Sequence, residues 1–184
     1  MNDIHILMIV GSLRKDSYNL QLALEAKKYI GDRAKVEILN YNDVPLFNQD
    51  IEFPAPEAVQ FVREKVKKAD AVWFFTPEYN HSYPGVLKNL IDWLSRPFNH
   101  EEDQVLSGKI ATYSGVGLGI TGTSVAQDLL VSLLSLLNMN LMNQPRISIP
   151  NGLQLIDPNG EMNFSSASQF ISNQADAFIA FIQK

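Results

Sequence analysis

Apolar and polar positions along this chain fall into alternating blocks. Ile4–Val10 is a short apolar run stopped by Gly11-Ser12, the pattern of a buried parallel strand. From Ser17 to Ile30 the apolar residues recur at helical spacing, with Leu20, Ala23 and Leu24 on one face and Gly31 as the stop. Lys35–Leu39 reads as a second, half-exposed strand. A long loop, Asn40–Pro56, follows and contains Pro45, Pro54 and Pro56; a loop of such length signals function or mobility. The spacing of Val59, Phe61, Val62 and Val66 predicts a second helix over Glu57–Lys68. Asp70–Thr76 is almost wholly apolar and reads as a third, central strand. A helix over Pro84–Ser95, a strand over Lys109–Ser114 and a leucine-rich helix over Gly122–Asn138 come next. A fifth strand is expected within Leu141–Ile149, and a last helix over Ser166–Gln183 with Phe170, Ala177, Phe178 and Phe181 facing inward.

Strand and helix thus alternate five times, which implies an α/β fold with a parallel sheet, helices on both faces and right-handed crossovers. No repeat or linker divides the chain, so residues 1–184 are read as one domain, with the polar stretch Asn151–Ser165 as an excursion within it. In sheets of this kind ligands bind outside the carboxyl ends of the strands, at the point where the strand order reverses. The loops after the first, third and fourth strands are the ones to inspect.

Composition narrows the chemistry. The net charge is −5, which disfavours a nucleic-acid partner that must be bound through clustered Lys and Arg. The dense basic runs, Lys27-Lys28 and Lys65 to Lys68, sit near helix ends, where cations complement the dipole. The chain has no cysteine, which excludes disulfides, thiolate metal sites and cysteine nucleophiles and fits a reducing compartment. His5, His81 and His100 form no spaced cluster of the kind zinc needs, so no metal is expected. MNDIHILMIV lacks the basic start of a signal peptide, and no apolar run approaches membrane-spanning length; a cytoplasmic protein with no membrane partner is the expectation.

The first candidate loop runs from Gly11 to Asn19. It joins a strand to a helix, so backbone N–H groups and the positive helix end converge on one anion site. Ser12 and Ser17 can donate hydroxyl protons, Asn19 an amide and Arg14 a charged fork, about the set a phosphate monoester needs. The loop lacks the Gly-Lys-Ser/Thr of a Walker A segment and the dinucleotide pattern G-x-G-x-x-G, and no cysteine is present to attack the phosphate. It therefore holds a phosphate and does not cleave it. In the second loop, Thr76 to Gly85, prolines at both ends stiffen a segment whose backbone groups, over Pro77, Glu78, Tyr79 and Asn80, can meet the polar edge of a flat heteroaromatic such as flavin. Tyr79 either lies against such a ring or is a packed surface tyrosine; His81 is either a proton donor or a solvated loop residue. The third loop, Ser114 to Gly122, holds four glycines in nine residues, which permits close backbone approach; Ser114, Gly115 and Gly117 are its expected contacts.

With these residues in place, the chain resembles the NADPH-dependent FMN reductase family of flavodoxin-like proteins, whose relatives include quinone, azo-dye and chromate reductases. Gly11-Ser12-x-Arg14-x-x-Ser17-x-Asn19 resembles the family's phosphate loop. Pro77-Glu78-Tyr79-Asn80-x-Ser82-x-Pro84-x-x-Leu87-Lys88-Asn89-x-Ile91-Asp92-Trp93 resembles its flavin-ring loop and the helix behind it. The resemblance implies a flavodoxin-like three-layer sandwich with strand order 2-1-3-4-5, noncovalent FMN, and a homodimer or homotetramer that completes each site from a neighbouring subunit. It also implies that Val86–Ser95 lies at the dimer contact, with Trp93 as an interface anchor unless it is an ordinary core residue. Relatives often carry an Arg-bearing stretch after strand four, where this chain has Gly119-Ile120-Thr121-Gly122-Thr123-Ser124; recognition of the NADPH 2′-phosphate is therefore open, and NADPH and NADH both stand as cosubstrate.

The implied reaction is hydride transfer from NAD(P)H through flavin to a small acceptor such as a quinone, an azo compound or free FMN, in two half-reactions at one face. The cofactor carries that chemistry, so no catalytic side chain is expected. The alternatives are a flavodoxin-type electron carrier and a flavin-binding redox sensor without efficient turnover.

Overall fold

The computed structural model describes residues 4–97 and 103–184, so His100 lies outside the described residues. In chain order the described residues form β1 (His5–Val10), α1 (Tyr18–Ile30), β2 (Lys35–Ile38), α2 (Glu57–Lys68), β3 (Ala71–Phe75) and α3 (Gly85–Leu94). They continue with β4 (Ile110–Val116), α4 (Ser124–Leu136), β5 (Asn140–Leu141), β6 (Ile147–Ile149) and α5 (Ser168–Ile182). The strand order is β2-β1-β3-β4-β5 with every pair parallel, the expected flavodoxin-like order.

The fifth position is filled differently from the prediction. Two short strands share the edge: β5 pairs with Ile110 and Ala111 of β4, and β6 pairs with Ser114 to Val116. Pro145 lies between them, and a proline offers no N–H to a ladder, so one continuous strand over Leu141–Ile149 is interrupted there.

β1 and β3 are buried on both faces, and their alternate side chains feed two cores. Ile6, Met8, Trp73 and Phe75 pack with Leu22 of α1 and Phe178 of α5. Leu7, Ile9, Val72 and Phe74 pack on the other side with Val62 of α2, Leu90 of α3 and Leu130 of α4. The helical faces sit slightly off the predicted ones. In α5 the buried stripe is Ile171, Gln174, Ala175, Phe178 and Ile179, which leaves Phe170 65% exposed. Phe61 is likewise turned outward, under the Lys65 ammonium 5.3 Å from its ring centroid, and Leu24 is exposed. The two lysine runs do fall in the last turns of α1 and α2.

A chain of buried hydrogen bonds fastens α5 to the sheet. Trp73 Nε1 donates to Ser114 Oγ at 2.9 Å, and that hydroxyl donates to Gln174 Oε1 at 2.7 Å. Gln174 Nε2 donates to the Tyr113 carbonyl at 3.0 Å and to Thr112 Oγ1 at 3.2 Å, and the Thr112 hydroxyl donates to the Met142 carbonyl. The Asn40–Pro56 loop is pinned to α3. Asn89 Nδ2 and Trp93 Nε1 both donate to the Pro45 carbonyl, at 2.9 and 2.8 Å, and the Phe47 N–H donates to Asn89 Oδ1. Phe47 meets Trp93 edge-on with ring centroids 4.9 Å apart, and Glu52 pairs with Arg96 at 2.7 Å. Trp93 is therefore fully buried within its own chain, the core residue of the two alternatives and not the interface anchor: the edge of its indole is occupied by the loop.

Replacing Gln174 with Leu leaves the Ser114 hydroxyl and the Tyr113 carbonyl without their buried partner. Gln174→Leu is expected to lower stability by about 1–3 kcal/mol. Urea unfolding should show a lower midpoint at an unchanged slope.

Candidate functional site

The carboxyl ends of β1, β3 and β4 lie side by side, and their three loops converge on one cavity of about 530 Å³. That volume falls within the range of small-molecule sites. The cavity sits at the switch point, since from β1 the chain crosses outward to β2 and then back to β3.

At the first loop, the Gly11 N–H continues the ladder to the Phe75 carbonyl at 2.7 Å, after which the backbone leaves the sheet. Ser17 is the N-cap of α1, its Oγ accepting from the Leu20 N–H at 3.4 Å. Among the described residues the Tyr18 and Asn19 N–H groups at the helix start have no acceptor, nor do those of Ser12, Leu13, Lys15 and Asp16. The Arg14 guanidinium lies 4.9 Å from the Tyr18 ring centroid and is held by no carboxylate among the described residues. Ser12, Arg14, Ser17 and Tyr18 all line the cavity. The result is an exposed cation and a cluster of unpaired donors at the positive end of a 13-residue helix.

Asn19 also lines the cavity, but its side chain has another task. Its Nδ2 donates to the Val116 carbonyl and its Oδ1 accepts from the Val116 N–H, each at 3.0 Å. This buried amide clasps the start of α1 to the end of β4. The side chain is thus a structural clasp that the sequence did not reveal, and it leaves one Nδ2 hydrogen and the Asn19 backbone N–H for an anion at this position.

The second loop closes into a two-residue turn. Tyr79 and Ser82 exchange backbone hydrogen bonds at 2.9 and 3.0 Å, and Asn80 and His81 both adopt positive φ, 51° and 58°. This is a type I′ geometry, which Asn tolerates because its short side chain relieves the left-handed conformation. The turn consumes the Tyr79 N–H, and among the described residues the Glu78, Asn80 and His81 N–H groups and the Asn80 amide have no partner. Tyr79 is 54% exposed at the cavity edge, and His81 is exposed beside it. Pro77 forms the buried base of this wall.

At the third loop most of the glycines answer to the loop itself. A Cβ on Gly115 would stand 2.2 Å from Thr123 Oγ1 and 2.3 Å from the Thr76 carbonyl, and one on Gly117 would stand 1.9 Å from the Gly122 carbonyl. Gly117 and Gly119 line the cavity, but only Gly119 has open space around it. Ser114 and Gly115, both expected as ligand contacts, do not line the cavity: Ser114 is spent in the Trp73–Gln174 chain, and Gly115 is packed against β3's end and α4's start.

The second and third loops are joined by Glu78. Its Oε2 accepts from the Ala126 N–H at 3.0 Å and its Oε1 from the Thr121 hydroxyl at 3.2 Å, with His81 Nδ1 at 3.4 Å. The carboxylate thus supplies a cap that α4 lacks, because Thr123 makes no capping bond of its own and the first turn carries no acid. That missing acid was the one sequence signal pointing to a cap from elsewhere. Among the described residues no group of three His, Asp or Glu is placed to hold a metal, and no helix is long and apolar enough to cross a membrane.

Comparison with known proteins identifies the family. The profile of the NADPH-dependent FMN reductase family matches residues 4–154. The chain is 36% identical over 184 residues to the NAD(P)H-dependent FMN reductase of Pseudomonas aeruginosa, spanning 100% of this chain and 97% of that one. It is 34% identical over 178 residues to the 2-hydroxy-1,4-benzoquinone reductase of a Burkholderia species, spanning 97% and 96%. Among solved structures it superposes on FerB, a flavoenzyme NAD(P)H:(acceptor) oxidoreductase from Paracoccus denitrificans, with a TM-score of 0.86 and 33% identity over 98% and 97% of the two chains. A flavodoxin from the domain Archaea superposes at a TM-score of 0.63 with 11% identity, a likeness of fold alone.

The turn geometry separates two substitutions at one position. Asn80→Ala places a Cβ without a relieving amide in the left-handed region and is expected to cost roughly 1 kcal/mol. Asn80→Gly removes the same amide at no conformational strain and should leave the melting temperature close to that of the wild type. Thermal unfolding of the two variants checks this.

Proposed function

The chain belongs to the NADPH-dependent FMN reductase family, and on that premise we propose that it is an FMN-dependent NAD(P)H oxidoreductase that reduces a small acceptor of the quinone or flavin class. The observation that carries this reading is the pair of helix starts at the cavity. At the start of α1 the Tyr18 and Asn19 N–H groups have no acceptor among the described residues, while at the start of α4 the Glu78 carboxylate already takes the Ala126 N–H. One free helix start suits a ligand with a single phosphate, FMN, better than a dinucleotide as the resident cofactor.

The residues present fit that cofactor. Ser12, Arg14, Ser17 and the backbone N–H groups of Tyr18 and Asn19 hold the phosphate. Pro77, Glu78, Tyr79 and Asn80 hold the ring through the unpaired N–H groups of their turn and the free Asn80 amide, and Gly117 forms the opposite wall. Bound flavin supplies the hydride chemistry, with NADPH or NADH as donor. The protein's share is to orient and to set electrostatics: fixed N–H donors in the Glu78–His81 segment stabilise negative charge at the polar edge of the ring, as preorganised donors do for other developing anions. No side-chain nucleophile or general acid is assigned.

Three further parts belong to the same reading. Residues 1–184 form one FMN-binding domain, supported by the single sheet that gathers strands from His5 to Ile149 and by α5 packing against α1. The protein is a homodimer or homotetramer, supported by the outward Val86, Leu129 and Leu136, which leave apolar surface uncovered on α3 and α4. A cytoplasmic location is supported by the cysteine-free composition.

The purified protein is expected to be yellow, to release FMN on heating, and to bleach with NADPH or NADH under argon. A flavin that stays oxidised with both nucleotides would place the protein among carriers or sensors. Arg14→Ala should weaken FMN binding by roughly 10- to 100-fold without abolishing it, the loss of one charge-assisted contact. An unchanged affinity in a titration of the apo variant would overturn the phosphate assignment.

A further inference from the structure

Glu78 lines the cavity with its side chain only 8% exposed, yet the partners that hold its carboxylate are protein groups. Thr121 is 43 residues away in sequence and Ala126 is 48. Between them the chain runs through α3 and β4, so the backbone itself does little to hold the Tyr79–Ser82 turn against the third loop. Behind the carboxylate, the two loops also meet where the Thr76 N–H donates to the Ser114 carbonyl and Gly115 packs on the Thr76 carbonyl, at the level of the strands. At the level of the cavity, Glu78 is the connection. The turn itself is a strained two-residue hairpin whose free N–H groups aim usefully only if its position is set from outside.

We infer that Glu78 is a positioning residue: by capping α4 from the opposite wall, its carboxylate makes the ring-binding turn and the third loop move as one body, so that the flavin meets two walls already in register. The proposal rests on the FMN reading above. It assigns to Glu78 no contact with the reacting atoms. His81 Nδ1 lies 3.4 Å from the same carboxylate, on the turn side. Because α4 has no acid in its first turn, the capping and coupling roles of Glu78 can be separated: an acid placed at Ser124, the first residue of α4, complements the helix start locally without bridging the loops.

Three proteins are compared: wild type, Glu78→Ala and Glu78→Ala/Ser124→Asp. Glu78→Ala is expected to lower the melting temperature, to speed hydrogen exchange at the Tyr79 and Ser82 amides of the turn, and to weaken FMN binding by about tenfold or more, the loss of two hydrogen bonds to a charged group. In the double variant the melting temperature should recover, while turn exchange stays fast and FMN affinity stays low. Recovery of affinity together with stability would show that Glu78 only stabilises α4 and would overturn the proposal, as would an FMN affinity in Glu78→Ala within twofold of the wild type. Should Glu78→Ala not fold, Glu78→Met, which keeps the length and removes both acceptor oxygens, enters the same comparison with the same readings. Turn exchange is measured on flavin-free protein, so it reports on the coupling even if the wild type binds no FMN, the outcome that would sink the functional reading instead.

Discussion

Burial of β1 and β3 on both faces is the constraint from which the rest of the molecule follows. Ile6, Leu7, Met8 and Ile9 and the run from Ala71 to Phe75 are fully enclosed, so neither strand has a polar face to offer a ligand. Polar function is confined to where these strands end. Because all the paired strands are parallel, their carboxyl ends lie together, and the loops after β1, β3 and β4 must share one edge of the sheet.

Three loops at one edge do not by themselves make a site; they must be held at fixed distances. The structure does this with buried or nearly buried side chains that reach between loops. Asn19 ties the start of α1 to the end of β4, Glu78 ties the turn after β3 to the start of α4, and Gly115 lets Thr123 and Thr76 approach closely. Each tie uses up polar atoms that a list of candidate ligands would have counted as free. The donors left over, at the start of α1 and in the Glu78–His81 segment, are mostly backbone N–H groups, whose positions are fixed by the fold and cost no side-chain ordering when a ligand binds.

The same division explains the long loop after β2. Asn40–Pro56 contains little regular structure, but Asn89 and Trp93, one turn apart on α3, grip its Pro45 carbonyl, and the Glu52–Arg96 pair closes its far end. In the helix half of the second motif Asn89 and Trp93 anchor this loop and Leu87 and Ile91 pack in the core, while the segment Pro77 to His81 faces the cavity.

Much of the fold was legible in the sequence, because it depends on short-range pattern. The apolar runs at Ile4–Val10 and Asp70–Thr76, the helical spacings between them and the strand-to-helix loop at Gly11–Asn19 each reveal themselves within about 20 residues. Small misreadings remained: the buried stripe of α5 begins at Ile171 and not Phe170, and Phe61 lies beside the Val59–Val62–Val66 stripe of α2 and faces solvent, distinctions that composition alone does not resolve. The assignments that needed tertiary structure were those whose partners lie far along the chain. Ser114 reads as a loop donor until Gln174, 60 residues on, accepts its hydrogen bond; Asn19 reads as an unengaged amide until Val116, 97 residues on, takes its oxygen and one of its two N–H groups. A hydroxyl or an amide in a sequence shows what it can donate, but which acceptor it meets is decided only when the chain is folded.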